Sequence, residues 1–307
     1  VRAQREPRAD AVDAVVPAVL RGLEAIDEKL VLVLDDYQEI TNRMCHDSLS
    51  FFLERTPSNV TVAVSTRSDP PIPMGKLRAV EELLELRAVD LGFTEAESAT
   101  FLNEIMHLGL ATESLGALYE RTEGWPVGVH LAAMSLSHEA DPAGFVARFG
   151  GASRYIVDYL TEVVLDALDE DRHQFLLETS VLDTMSGPLC DAATGRQRSA
   201  EVLVELERAN LFLIPLDDRR EWYRYHELFA DVLRNRLLQS DPELALAVHR
   251  RASEWLGPQG YRYEAVRHAV AAHALESAIT LVLEDWRPSF EQDDAVCILR
   301  QLAELPP

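Results

Sequence analysis

The sequence predicts a multidomain chain, α/β at its start and mostly α thereafter. Three observations carry this. Two five-residue apolar runs flank a short helical stretch near the N-terminus; a helix–helix–helix–strand–strand–helix order fills the middle; paired alanine-rich helices close the chain. At 307 residues the chain is too long for one simple core.

Val12, Val15, Val16, Val19, Leu20, Leu23 and Ile26 recur at three- and four-residue steps, one apolar stripe on a first helix. Leu30–Leu34 is apolar without alternation, the pattern of a strand buried on both faces of a parallel sheet. A short helix is expected around Leu49–Leu53 and a second strand at Val60–Val64, so strand, helix and strand make a βαβ unit. A weaker third strand is expected through Leu84–Val89. After Gly92 the pattern turns helical, opened by the capping box Thr94–Glu97 and broken at Gly124-Trp125-Pro126. Asp141-Pro142 and Gly150-Gly151 mark a boundary. From Tyr155 to Leu238 three helices precede a hairpin of Leu211–Ile214 and Trp222–Tyr225 joined through Asp217–Arg220, and one helix follows; this is a winged-helix layout. Beyond Pro242 the alanine-rich helices read as the opening of a helical-repeat solenoid, expected to continue past Pro307. The expected divisions are 1–92, 93–150, 151–240 and 241–307.

Composition narrows the function classes. Asp and Glu (52) outnumber Lys and Arg (29), a formal net charge of −23 that repels phosphate backbones. Any DNA-reading part is therefore expected in a separate basic module. No apolar run approaches the ~18 residues of a membrane span, and the N-terminus lacks the apolar stretch of a signal peptide. Three dispersed cysteines, Cys45, Cys190 and Cys297, fit a reducing cytoplasm better than a disulfide framework. The first residue is Val1, so the reading frame is expected to extend upstream.

Two strand ends carry the chemistry. Asp35 and Asp36 close the first strand, where ligands of open parallel sheets gather; one carboxylate can hold Mg²⁺ through water while its neighbour orients an attacking water. The plainer alternative is a strand meeting polar residues as it enters a loop. The second strand ends Ser65-Thr66-Arg67, and an arginine there can reach a γ-phosphate. Its alternative is a solvated arginine, but the coincidence of both ends favours a nucleotide site. Elsewhere, His268 and His273 are five apart and poorly spaced for metal, and are expected to be exposed or packing residues. Cys45 beside His46 is no nucleophile pair, and Phe229, Trp255 and Trp286 are expected in the core.

Leu32-Val-Leu-Asp-Asp-Tyr-Gln-Glu-Ile40 with Ser65-Thr-Arg67 resembles the Walker B half of the ATPase core in MalT-like regulators. These are signal-transduction ATPases with numerous domains (STAND), of the large ATP-binding LuxR type. Thr122-Glu-Gly-Trp-Pro-Val-Gly-Val-His-Leu131 is similar to that family's lid motif, and Trp222-Tyr-Arg-Tyr-His-Glu-Leu-Phe-Ala-Asp-Val-Leu233 to its winged-helix motif. The resemblance implies a partial P-loop NTPase sheet, a helical lid, a winged helix and the start of a TPR-like sensor. It implies ATP/ADP with Mg²⁺ as cofactor: Asp35 supporting the metal, Asp36 the hydrolytic water, and Arg67 sensing phosphate. Pro126 would pack on adenine, although a helix-breaking turn explains it equally well. His226 would bond the β-phosphate of ADP, although a histidine capping the following helix is the reading its position alone favours.

The sequence departs from the family pattern in having no Gly-x-x-x-x-Gly-Lys-Ser/Thr. The leading expectation is an ATP/ADP-dependent switch of a bacterial transcriptional activator: a slow regulatory ATPase in a longer protein, with this segment inactive. Its implied partners are an inducer on the helical repeats, further copies of itself when active, and DNA only through a domain outside this chain. The alternatives are a non-catalytic interaction scaffold and a hydrolase with Asp35 or Asp36 as nucleophile.

Overall fold

The computed structural model describes residues 9–137, 139 and 141–284, so Trp286 and Cys297 lie outside the described residues. The chain divides into two units, one of Val1–Arg87 with Arg208–Asn210, the other of Ala88–Glu207 with Leu211–Pro307.

In the first unit, helix α1 (Ala9–Glu24) precedes strand β1 (Leu30–Leu34), helix α2 (Arg43–Leu53), strand β2 (Val60–Val64) and helix α3 (Met74–Ala79). Both strands fall where the apolar runs placed them. They pair in parallel from Leu30↔Val60 to Leu34↔Val64, and α2 makes the crossover. The Asn59 side-chain amide donates to the carbonyls of Leu23 (3.0 Å) and Ile26 (2.8 Å), tying the end of α1 to the start of β2. Asn42 caps α2 by accepting from the Met44 amide at 2.9 Å.

Two expectations for this unit fail. The β1 strand is not buried on both faces: Val31 is 67% and Val33 63% exposed. Among the described residues it pairs only with β2, so most of its apolar surface has no layer against it. Nor is there a strand at 84–89. Ion pairs from Arg87 to Asp69 and Glu85, and from Arg78 to Glu85, hold that segment out of ladder register. Leu84 and Leu86 are left in solvent, and a four-residue helix, α4 (Ala88–Leu91), follows in the second unit.

The second unit is helical around one continuous apolar core running from Leu102 to Ala265. Helix α5 (Glu95–Thr100) opens with the expected capping box: the Glu97 amide donates to Thr94 Oγ1 (3.2 Å), and Thr94 N donates to Glu97 Oε2 (2.8 Å). It continues as a π-helical turn at Phe101–Ile105. Then come α6 (Thr112–Thr122), α7 (Pro126–Leu136), α8 (Pro142–Arg148), α9 (Arg154–Val163), α10 (Glu170–Thr179), α11 (Gly187–Thr194) and α12 (Ser199–Arg208). Four helices rather than three thus lead to the hairpin β3 (Leu213–Pro215) and β4 (Tyr223–Tyr225). The extra helix, α11, starts at Gly187-Pro188, a pair that reads as a turn but also fits a helix's first turn.

The hairpin pairs antiparallel, Leu213↔Tyr225 and Pro215↔Tyr223, and is shorter than its sequence run. Phe212 lies at φ 54°, a left-handed conformation that keeps it out of the ladder. Asp217 shapes the turn by accepting from the amides of Arg219 (2.8 Å) and Trp222 (2.7 Å). Helices α13 (Glu227–Ser240), α14 (Pro242–Leu256), α15 (Arg262–Ala271) and α16 (Leu275–Glu284) complete the described chain. Phe229 is fully buried and Trp255 packs partly buried on the same core, as expected. Among the described residues no helix is long and apolar enough to cross a membrane.

Candidate functional site

The candidate residues fall into two local constellations, one in each unit. In the first, the β1 and β2 ends are stitched together. Ser65 N donates to the Leu34 carbonyl (2.9 Å), and Tyr37 N donates to that of Ser65 (3.0 Å). This brings the Ser65 hydroxyl onto Asp35 Oδ1, while the Asp36 amide donates to both Asp35 Oδ1 and Ser65 Oγ at 3.2 Å. Asp36 takes a left-handed turn at φ 51°, tolerated by a short polar side chain, and accepts from Gln38 Nε2 at 3.0 Å. Gln38 Oε1 in turn accepts the Arg67 amide at 3.1 Å. Asp35, Asp36 and Arg67 are therefore in one bonded set, and all three are exposed. The Arg67 guanidinium is in no ion pair among the described residues.

Two carboxylates and a hydroxyl form an all-oxygen donor set, the type that Mg²⁺ takes alongside phosphate and water. Among the described residues no group of three His, Cys, Asp or Glu is placed to hold a metal by itself. A metal held here would have to bring further oxygen ligands of its own. Sequence reasoning missed Gln38 and Ser65, although both stand inside the quoted motifs.

The second constellation joins the end of α6 to the start of α13. Helix α6 stops at Glu123, whose φ of 48° is left-handed, and Gly124 follows at φ 71°. Only glycine fits there, because a Cβ would lie 2.1 Å from the Phe93 carbonyl oxygen. Trp125 then turns into the core, edge-on to Tyr159, Phe212 and His226, with ring centroids 5.6, 5.0 and 5.8 Å away. Pro126 sits in the first turn of α7, where its missing amide hydrogen costs nothing.

Arg224 grips Glu123 with two nitrogens, Nη1 to Oε1 at 2.8 Å and Nη2 to Oε2 at 2.6 Å. Glu123 Oε1 also accepts the Glu227 amide at 2.9 Å, capping α13 from outside that helix. Burial raises the Glu123 pKa, but the Arg224 and Glu227 hydrogen bonds outweigh it and hold the carboxyl below the usual range. His226 stands at the N-cap position of α13 yet makes no capping bond. Its Nε2 lies 3.0 Å from the Thr122 carbonyl, which can only accept, so Nε2 carries the hydrogen. Its Nδ1 is buried without a partner. Burial pushes the ring's pKa down, partly opposed by Glu123, so the ring is neutral at pH 7. Sequence reasoning named Pro126 and His226 here but missed the oppositely charged pair Glu123 and Arg224, one in each quoted motif.

A third cluster was also missed. Of the two readings for His268, exposed or packing, the packing one holds: the ring is buried, and its Nδ1 lies 2.7 Å from that of His249 on α14. Nineteen residues separate the two in sequence, and only helix packing joins them.

An acid-ended parallel strand pair, a helical segment, a winged helix and paired helices follow one another along the chain, which is similar over nearly all its length to a segment of MalT-like regulators. The profile of the MalT winged helix domain matches residues 160–245. HTH-type transcriptional regulator MalT from Klebsiella pneumoniae subsp. pneumoniae is 34% identical over 282 residues, 90% of this chain and 31% of that protein. MalT from Yersinia enterocolitica is 34% identical over 299 residues, 96% of this chain and 33% of that protein. Serine/threonine-protein kinase PknK from Mycobacterium tuberculosis is 33% identical over 297 residues, 97% of this chain and 27% of that protein. The chain thus spans between a quarter and a third of these relatives. Among solved structures, a STAND protein with a tetratricopeptide repeat sensor from Pyrococcus horikoshii aligns over 92% of this chain and 39% of its own, at 15% identity and a TM-score of 0.37.

Proposed function

We propose that this chain is the switch segment of a cytoplasmic bacterial transcriptional activator, set by ATP against ADP. Residues 1–92 supply half of a nucleotide-binding fold, 93–150 a lid, 151–240 the winged helix and 241–307 the start of a TPR-like sensor. The observation that carries the reading is the stitched pair of strand ends, where Asp35, Asp36 and Arg67 share one hydrogen-bonded set. Asp35 would hold Mg²⁺ delivered with the nucleotide, and Asp36 would orient water. Arg67, whose guanidinium is in no ion pair among the described residues, would meet the terminal phosphate. Pro126 would face adenine, and His226 would hold the β-phosphate of ADP once its ring leaves the Thr122 carbonyl. An inducer bound on the helical repeats would favour ATP and self-association. DNA contact would belong to a basic module outside this segment.

A second reading is an interaction scaffold without nucleotide chemistry. One observation favours it: the sequence has no phosphate-gripping Gly-x-x-x-x-Gly-Lys-Ser/Thr. Titrating the chain with a fluorescent ADP analogue and Mg²⁺ separates the two. The switch reading expects weak binding that Asp35→Ala reduces at least about tenfold. No binding at millimolar ligand, or binding indifferent to Asp35→Ala, selects the scaffold for this segment.

A further inference from the structure

The turn that closes α6 is strained, and a second element holds it down. Glu123 is left-handed, a conformation disfavoured for any residue with a Cβ. Phe212, whose ring meets Trp125, is left-handed too, and its carbonyl accepts the His226 amide at 2.8 Å. Such strain persists only where neighbouring contacts impose it, and it gathers in segments that move. Backbone bonds from Glu123 N to the Tyr119 carbonyl (2.7 Å), Trp125 N to the Thr122 carbonyl (2.8 Å) and Phe93 N to the Gly124 carbonyl (2.8 Å) shape the turn. Three polar side-chain contacts tie it to the start of α13: the two-pronged Arg224–Glu123 pair, the Glu227 amide on Glu123, and His226 on the Thr122 carbonyl. The surroundings are aromatic, with Trp125 against Phe212 and His226, and Phe212 against Phe229. While the clasp is closed, neither nitrogen of His226 can serve a ligand, since Nε2 is committed and Nδ1 is enclosed.

We propose, resting on the switch reading above, that Glu123 and Arg224 form a strained latch whose opening lets the 122–125 turn relax and frees the His226 ring. Glu123 is thus a positioning residue that acts through Thr122 and His226. Closing keeps the lid turn seated on the start of α13; opening releases both together. The strained backbone at Glu123 and Phe212 biases the released turn away from reclosing.

The test uses the whole chain, wild type and the variants Glu123→Gln, Arg224→Lys and the double variant, with no nucleotide present. Hydrogen exchange is followed at residues 120–126 and 226–230, and the His226 ring is titrated by nitrogen NMR. Each single variant is expected to speed exchange in those two segments at least about tenfold, with the double variant no faster than either single and α14–α16 unchanged. The His226 midpoint is expected to rise toward the ordinary histidine value in Glu123→Gln. That sign is decisive, because losing the Glu123 carboxylate from a closed clasp removes an attraction for the imidazolium and moves the midpoint down. A lowered or unchanged midpoint, additive single effects, or acceleration spread evenly over the unit would overturn the latch. ADP binding by the wild type is scored separately, so failure of the switch reading leaves this result standing or falling on its own.

Discussion

Acid should loosen the α14–α15 pair through His249 and His268. Their Nδ1 atoms are 2.7 Å apart, so the neutral pair shares one hydrogen, and a second proton breaks the bond. Burial is the main cause of both depressed values. Arg234 and Arg267 add repulsion at His249, and at His268 the neighbouring His249 and Arg267 do the same; Asp183 opposes weakly at each. His249 is pushed down to about 4 and His268 to about 3, against 6.5 for a free ring. A depressed folded-state value means the contribution is fully present above pH 6.5. It is lost as pH falls toward 4, because the unfolded chain takes up two protons that the folded chain refuses.

Each refused proton costs about 1.4 kcal/mol per pH unit below 6.5. From pH 7.5 to 5.5 the pair should therefore lose roughly 2–3 kcal/mol of stability. Hydrogen exchange at the α14 and α15 amides across this range isolates the effect from the β1–β2 unit. In the double variant His249→Gln/His268→Gln the pH dependence should flatten by nearly that amount. An unchanged slope in the double variant would refute the reasoning, since these two rings are its only claimed source.

Gly124→Ala places a methyl 2.1 Å from the Phe93 carbonyl oxygen at a φ of 71°, and should cost about 2–4 kcal/mol, read as a lowered unfolding midpoint. Of the two cysteines described, Cys190 is fully buried and its thiol is pushed far up by desolvation. It should resist iodoacetamide in the folded chain and react only after denaturation, whereas the half-buried Cys45 should label first; peptide mapping reads both.

What the sequence shows of this fold is what is local. Strands β1 and β2 are legible because short valine-bearing runs, one ending at Asp35 and one opening after Asn59, have few other uses. Thr94–Glu97 is legible because a capping box is a three-residue spacing with one geometry. What escapes depends on partners distant in the chain. Leu84–Val89 has strand-like composition, but a strand needs an edge to bond, and its charged residues found Asp69 and Arg78 instead. Leu211–Ile214 looks uniformly extended, yet packing forces Phe212 into a left-handed turn. The candidate site divides the same way. Asp35, Asp36 and Arg67 could be placed at strand ends, whereas Gln38 as their bridge depends on the Asp36 turn. The Glu123–Arg224 pair spans 101 residues and has no periodic signal.

Three acidic residues among those described, Asp36, Glu81 and Glu123, lie in the left-handed region, and two of them belong to the candidate site and the clasp. Asp36 and Glu123 are each non-glycine residues in the left-handed region, where glycine would be easier by about 1 kcal/mol. Each uses its carboxylate at once: Asp36 on Gln38, which carries the Arg67 amide, and Glu123 on Arg224 and the Glu227 amide. A charge-assisted, two-pronged ion pair in half-buried surroundings offsets strain of that size several times over. The exposed Asp36–Gln38 bond offsets it only marginally. The two sites therefore differ in kind. At Glu123 the carboxylate is structural ballast for a turn that would otherwise relax. At Asp36 the exposed bond adds little, and the left-handed turn is one that a short polar side chain tolerates. Under the switch proposal that acid is the one free to meet a ligand, and the clasp is the part held against its own backbone.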